Sequence, residues 1–330
     1  RNGKTIYDGV ETVYNEVNAA GGIHGRKLRY VREDDVCKPD QAVPAVKKLI
    51  YDHKVFLIHG GGCSNASLAA KPEIEKAGVP WVITASTAPQ LTDPVNPMIF
   101  TTMLAGWMET AGQLQRVIDL GAKKIAILHD KDAYGKGLAE EVKLIVDAAS
   151  GVETVLFAGI TAGAVDFSSI INKVKSVGAD AVVYGGYHPD ASKLVTQGQK
   201  AGLRIPFISD DGVKDDTFIK VAGSYAEGVY ASGPADTTSN PMAISAEKAH
   251  QAEYGESSGA FFLNAYAAMQ ALIGAIEQAG STDYDAVMSA LKGSYVDTAL
   301  GNISFDKGGD VIGFGFAMYQ VQDGVYVEVE

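Results

Sequence analysis

Cysteine, tryptophan and positive charge are scarce in this chain, and long apolar runs are missing. Of 330 residues only two are cysteine, Cys37 and Cys63. They are either a disulfide, which requires an oxidising compartment, or two buried thiols. If bonded, they close a loop of about 27 residues, worth roughly 3–4 kcal/mol by chain entropy. No run approaches the roughly 18 consecutive apolar residues that a membrane span needs. Lys and Arg number 28 against 40 Asp and Glu, a net charge of −12. A surface that acidic repels phosphate backbones and anionic lipid, so nucleic acid and membrane surfaces are poor partners. The histidines (His24, His53, His59, His129, His188, His250) have no metal-ligand spacing. There is no Gly-x-Ser-x-Gly elbow, and Gly60-Gly61-Gly62 lacks the Gly-x-Gly-x-x-Gly order of a dinucleotide site. No Lys-Ser/Thr pair follows those glycines, so they are not a phosphate loop. These absences argue against an enzyme and against a metal or cofactor.

What is present is an ordinary globular balance, 46% hydrophobic and 21% charged, which excludes a disordered chain. The length suits one very large domain or two ordinary ones, able to bury about three quarters of the unfolded surface. Ile6, Val10, Val13 and Val17 recur at helical spacing up to Gly21-Gly22. Lys27 to Val31 alternates as a strand does. Val43 to Ile50 reads as helix, Val55 to Ile58 as strand, Ala66 to Lys76 as helix, and Trp81 to Ile83 and Met98 to Met103 as strands. A second set follows: helix from Trp107 to Leu120, strand Lys124 to Leu128, helix Leu138 to Ala148, strand Val152 to Phe157 and helix Phe167 to Val177. It continues with strand Ala181 to Tyr184, helix Ala191 to Ala201 and strand Ile205 to Ile208. Strands alternating with helices of this length mean doubly wound α/β lobes built on parallel sheets. Pro234 to Pro241 is polar and turn-rich, Phe261 to Gln278 is the longest helical segment, and Gly301 to Val329 reads as short strands with turns. The tail implies that the chain crosses between lobes more than once. The chain opens on a helix without the strand expected to feed it, so either the sequence is truncated at its start or the first lobe is built differently. No signal peptide is visible ahead of Arg1, as for a chain whose targeting segment has been removed or never existed.

Chemistry concentrates at strand ends. Val55 to Ile58 runs through three glycines into Cys63-Ser64-Asn65 and a helix, whose N-terminus offers free N–H groups to an anion, carboxylate or phosphate. Plain helix capping by Ser64 explains the segment as well. Ile83-Thr84-Ala85-Ser86-Thr87 ends the next strand with small hydroxyl residues, and neighbouring strand ends can hold one carboxylate jointly. In the second half Tyr134, Tyr187 and Asp211 stand at strand ends, where the tyrosines can stack on a ligand and the acid can hold an ammonium. A solvated turn residue is the alternative for each acid, and the safer one for Asp210 and Asp215. Cys63 near His59 is a poor nucleophile candidate, since a disulfide explains it better. One lobe thus offers donors for a carboxylate and the other an acid and aromatics for a cation, which an α-amino acid satisfies together.

Long stretches of this chain, in order, resemble a known family. They are Asn18-Ala-Ala-Gly-Gly-Ile23-His-Gly, Asp34-Asp-Val-Cys37, Gly62-Cys63-Ser64, Thr87-Ala-Pro89 and His129-Asp-Lys-Asp-Ala-Tyr134-Gly. Further along come Gly159-Ile-Thr-Ala-Gly163, Asp166-Phe-Ser168, Tyr184-Gly-Gly-Tyr-His-Pro189 and Ser258-Gly-Ala-Phe261. The chain resembles the periplasmic substrate-binding proteins of ABC transporters, specifically the leucine/isoleucine/valine-binding group. The resemblance implies a type I periplasmic-binding-protein fold, two lobes joined by three crossovers, with lobes at 1–104 plus 235–314 and 105–234 plus 315–330 and a ligand cleft between them. It implies a Cys37–Cys63 disulfide, no enzyme activity, and export to the periplasm of a Gram-negative bacterium as a monomer serving ABC permease subunits. By the family pattern Ser64, Ala85 and Thr87, with Ser86 in the same turn, meet the ligand carboxylate. Tyr187 and Asp211 hold the ammonium, and Tyr134 and Phe261 line the site. Asp211 departs from the usual Glu and is one methylene shorter, so the ammonium sits deeper or is reached through water. Trp107 replaces a smaller polar residue and narrows the side-chain pocket. The expected ligand is an aliphatic, branched-chain α-amino acid. The alternatives are an aromatic or other carboxylic acid without the amino group, which would stack on Trp107 and Tyr134, and a ligand-sensing domain of a receptor.

Overall fold

The structure, a computed structural model, describes residues 2–103 and 106–329. The chain divides into two compact units, Arg1–Ala105 with Thr237–Phe314 and Gly106–Asp236 with Gly315–Glu330, and passes from one to the other three times. The first passage through unit one lays down α1 (Asn2–Ala19), α2 (Pro39–Lys47), β1 (Ile58–His59), α3 (Ser64–Ala77), β2 (Trp81–Ile83) and β3 (Ile99–Thr101). Unit two then alternates: α4 (Gly106–Asp119), β4 (Lys124–His129), α5 (Ala133–Ala148), β5 (Glu153–Gly159), α6 (Ser168–Ser176), β6 (Ala181–Gly185), α7 (His188–Lys200), β7 (Phe207–Ser209), α8 (Asp216–Ala222) and β8 (Tyr230–Pro234). The chain returns to unit one for α9 (Pro241–Tyr254), α10 (Phe262–Ala279), α11 (Tyr284–Gly293), β9 (Val296–Thr298), β10 (Gly301–Phe305) and β11 (Val311–Ile312). It ends in unit two with β12 (Phe316–Gln322) and β13 (Val325–Val329).

Unit two is built on one sheet in the order β13-β12-β8-β7-β6-β4-β5. Strands β4 to β8 run parallel, and β12 and β13 join antiparallel at one side. The apolar runs of β4 and β6 have no polar face because helices cover both sides. Ala126, Leu128, Val182 and Tyr184 pack with α6, α7 and α8. Their neighbours Ile125, Ile127, Ala181 and Val183 turn the other way, against Val117 of α4 and Leu138, Val142 and Val146 of α5. In unit one β1, β2 and β3 form a parallel sheet and β11, β10 and β9 an antiparallel one. Ile58, Trp81, Ile83 and Ile99 share a core with Val46 of α2 and Ala66, Ala70 and Ile74 of α3.

Two expectations change, and two helices are added. Lys27 to Val31 forms no strand, because the Asn18 side chain takes the place of a paired strand. Its Oδ1 accepts the Leu28 N–H at 2.8 Å and its Nδ2 donates to the Leu28 carbonyl at 3.1 Å. The strand read at Val55 to Ile58 shrinks to Ile58–His59, since β2 pairs only with those two residues. The stretches after Pro241 and Thr282 are helices α9 and α11, capped by the Asn240 and Asp283 side chains, which accept the Met242 and Ala286 N–H groups.

Candidate functional site

In unit one the relevant groups lie where β1, β2 and β3 end. Gly60 and Gly61 have φ of +133° and +106°, open only to glycine at no cost, and they turn the chain from β1 into α3. Cys63 stands at the N-cap of α3 and is bonded to Cys37, with the Cα atoms 5.4 Å apart. The next residue, Ser64, is 1% exposed and does not cap the helix. Its hydroxyl instead accepts the Thr87 and Ala88 N–H groups, both at 3.3 Å. The Gly61 carbonyl accepts the Ala85 and Ser86 N–H groups at 3.1 and 3.0 Å, and the Ser86 hydroxyl pairs with Ser67 at 2.8 Å. The two turns are thus one hydrogen-bonded unit. It leaves Ser64 with its own O–H to donate, and the Thr87 hydroxyl is unengaged within the described chain. Phe261, with φ +67°, starts α10. One turn on, Asn264 bonds the Thr102 carbonyl at 2.9 Å, which sets that helix start at the same strand-end edge. His59 bonds the Ala265 carbonyl at 3.2 Å, and burial lowers its pKa to about 4, so it is neutral and turned away from Cys63.

Unit two gathers its groups at the ends of β4, β6 and β7. A Cβ on Gly135 would come within 2.4 Å of the Gly185 carbonyl, and one on Gly185 within 2.2 Å of that of Gly135. Only glycines allow the first turn of α5 to lie on the end of β6. This approach brings the Tyr134 ring of α5 to 5.2 Å from that of Tyr187, which caps α7. The Tyr134 hydroxyl donates to Asp211 Oδ1 and accepts the Gly212 N–H at 3.2 Å.

Asp210 is no solvated turn residue. It is fully buried, and its Oδ2 accepts the Gly186 N–H at 2.7 Å. Asp215 caps α8 by accepting the Thr217 N–H. Three residues outside the sequence reading complete the cluster. Glu109 of α4 accepts the Asp211 N–H at 2.7 Å and the Ser232 hydroxyl, and Gln113 one turn on donates to the Ser209 carbonyl at 3.0 Å. A signal existed: Glu109, Gln113 and Val117 recur every four residues on one face of α4, and all three are fully buried. A carboxyl and an amide in a core stripe demand polar partners.

The second oxygens of Glu109, Asp210 and Asp211 are buried and meet no hydrogen-bond partner among the described residues. Burial and mutual repulsion push Glu109 and Asp210 well above the usual carboxyl range. Burial raises Asp211 to about 6, held there by the Tyr134 and Gly212 donors and by Lys214. Asp130, at the end of β4, is raised to about 7 by burial. Trp107 lies in the first turn of α4, and its side chain falls outside the described residues. Among the described residues no group of His, Cys, Asp and Glu is arranged to hold a metal ion.

Fold and strand-end chemistry define a substrate-binding protein of two α/β units. A family description, periplasmic binding protein, matches residues 1–325. The chain is 36% identical over 309 residues to the leucine-, isoleucine-, valine-, threonine- and alanine-binding protein of Pseudomonas aeruginosa, covering 92% of this chain and 82% of that one. It is 34% identical over 318 residues to the Leu/Ile/Val-binding protein of Escherichia coli, covering 96% and 86%. Among solved structures, the branched-chain amino acid substrate-binding protein of Streptococcus pneumoniae in complex with isoleucine aligns with a TM-score of 0.87 at 25% identity, covering 99% and 95%. The leucine-binding protein of Thermotoga maritima aligns with a TM-score of 0.90 at 24% identity, covering 99% and 93%. This chain belongs to the periplasmic binding proteins, in the group of the Leu/Ile/Val-binding proteins. Its fold is the type I fold of that family, and the family binds substrates without transforming them. No helix among the described residues is long and apolar enough to cross a membrane.

Proposed function

We propose that this protein captures an aliphatic α-amino acid in the periplasm, as a monomer, and delivers it to the permease of an ABC importer. Ser64 and Thr87 donate their hydroxyls to the ligand carboxylate, in the turn that Ala85 and Ser86 complete. Asp211 takes the ammonium, with Tyr187 and Tyr134 beside it and Phe261 against the aliphatic side chain. The closed form is favoured because the same ligand satisfies both poles.

The observation that carries this reading is Asp211 itself. One of its oxygens is fixed by the Tyr134 hydroxyl, while the other is a buried acceptor with no partner among the described residues. An unmet carboxylate oxygen of that kind suits a ligand cation. It also favours an amino acid over a carboxylic acid that lacks the amino group, for which Asp211 would have no use.

The test is a thermal-shift screen of the five amino acids named for the Pseudomonas relative and of benzoate, followed by calorimetry on the best ligand. The Asp211→Ala variant is expected to lose about 2–5 kcal/mol of affinity, roughly 30- to 5,000-fold. Binding of the amino acid as tightly as wild type by that variant, or a shift by benzoate alone, overturns the reading.

A further inference from the structure

Glu109 has no place in the reading above, yet it is hydrogen-bonded to the backbone of the cation's acid. Its Oε1 accepts the backbone N–H of Asp211, and its Oε2 is fully buried and unpartnered. Asp210 and Asp211 present an unpartnered buried oxygen each. Three carboxyls therefore share one buried region, and among the described residues no ion pair joins any of them to a cation. Three adjacent carboxylates in a low-dielectric site cannot all ionise while nothing positive is bound. The protons they retain are in direct competition with a ligand cation.

We propose that Glu109, with Asp210 and Asp211, holds a proton in the empty site that leaves when the ligand's ammonium binds, so that capture is an exchange of one cation for another. The inference rests on the reading of Asp211 as the ammonium's partner. Glu109 acts through Asp211, as a positioning residue that also sets the protonation of the pole.

The other groups facing the cluster fit this role. Tyr134 from α5 and Tyr187 from the start of α7 are both held in the neutral phenol form by burial and by the carboxyls. Asp130 from the end of β4 adds repulsion to Asp210. Lys214, after β7, favours the charged form of Asp211, and its own burial weakens it as a counterion. From β8 comes the Ser232 hydroxyl, and β12 sets Met318 beside Gly112 of α4. The sign follows directly. Burial raises Asp211 to about 6, so protons occupy the pole increasingly as pH falls through that value, and a cation must displace them.

Calorimetric titration of the whole chain with L-leucine, in buffers of differing ionisation enthalpy at pH of about 6, 7 and 8, counts the protons released. Release of about half to one proton per leucine near the lower pH is expected. Affinity should rise with pH, approaching tenfold per unit where a full proton leaves. The Glu109→Gln variant keeps an acceptor for the Asp211 N–H. It is expected to release less than half as many protons and to flatten the rise of leucine affinity with pH. A wild-type protein that releases no protons overturns the inference without needing any variant, and so does a Glu109→Gln variant with the wild-type count. Asp211→Ala separates the two levels. If it retains wild-type affinity, the ammonium reading itself fails. If it loses affinity while wild type releases no protons, only the exchange fails. Should leucine not bind, L-isoleucine, L-valine, L-threonine and L-alanine replace it in turn, and failure of all five ends both.

Discussion

The strand ends of unit one and unit two solve opposite problems with opposite materials. In unit one the turns around Ser64 are built from small neutral residues, and the Ala85, Ser86, Thr87 and Ala88 amides are already committed. Gly61 takes two N–H groups and Ser64 takes two more. Two hydroxyls are left to donate, and among the described residues only the neutral Thr84 hydroxyl and His59 Nδ1 are buried there without a hydrogen-bond partner. In unit two the same kind of strand-end edge carries Glu109, Asp210, Asp211 and Asp130, with buried oxygens unmet on the first three. Neutral donors can be preorganised at little cost because they pair with one another when empty. A buried acid cannot, and it either holds a proton or waits for a cation. On the function proposed above, the Ser64 turn should therefore respond to geometry alone, and the Asp211 cluster to geometry and pH.

The strongest way to break that contrast is to loosen unit one. The Cys37–Cys63 bond ties the loop before α2 to the N-cap of α3, across 26 residues of sequence. Replacing both cysteines by serine should cost about 3–4 kcal/mol by loop entropy. The melting temperature should fall by several degrees, with leucine affinity reduced but its pH dependence unchanged. If the double variant melts like wild type, the bridge does not organise this pole.

A finer probe is Ser64→Ala. It removes the acceptor that holds the Thr87 and Ala88 N–H groups and also the hydroxyl left over for the ligand. A hydrogen bond to a charged partner is worth about 1.5–3 kcal/mol, so roughly 10- to 150-fold weaker leucine binding is expected. The loss should be equal at pH of about 6 and 8, because the serine hydroxyl that is removed does not itself titrate there. A loss that varies with pH would erase the distinction between the poles.

How much of this the sequence discloses depends on the range of the interaction. The gathering of Ser64 and Thr87 was legible as a position, because each follows a strand in a short, small-residue turn and neighbouring strands bring such turns together. The placing of Tyr134, Tyr187 and Asp211 after the strands of unit two was legible for the same reason, while the roles proposed for all five come from the resemblance and the charge pattern. Glu109 was not, because its contact with Asp211 spans 102 residues and depends on how α4 lies on β7. Asp210 was misread because adjacent residues in a turn diverge, and polarity alone cannot tell a buried turn acid from a solvated one. The strand expected at Lys27 to Val31 failed for a subtler reason. Its alternation is real, since Leu28 packs beside Val13 and Val17 and the Tyr30 ring lies 4.5 Å from that of Tyr14, but the backbone pairs with a side chain. Periodicity reports which side chains are buried, not what satisfies the amides.

The smallest expected effect sharpens the contrast from the opposite direction, by stabilising unit two away from its pole. Behind the sheet, between α6, α7 and β6, lies an apolar cavity of about 40 Å³ lined by Leu128, Ile171, Val174, Leu194, Leu203 and Phe207, with Gly198 of α7 in its wall. A Cβ at Gly198 would meet Leu203 at 3.6 and 3.9 Å, which is ordinary contact, and the residue lies inside the helix. Gly198→Ala therefore removes a helix-interior glycine and adds apolar contact in one step. It should stabilise the protein by about 0.5–1 kcal/mol. Leucine affinity and the proton count should stay at wild-type values, because none of the lining residues touches the carboxyl cluster. If the substitution instead altered the proton count, the cluster would be sensitive to packing throughout unit two, and the pH response could no longer be assigned to the three carboxyls themselves.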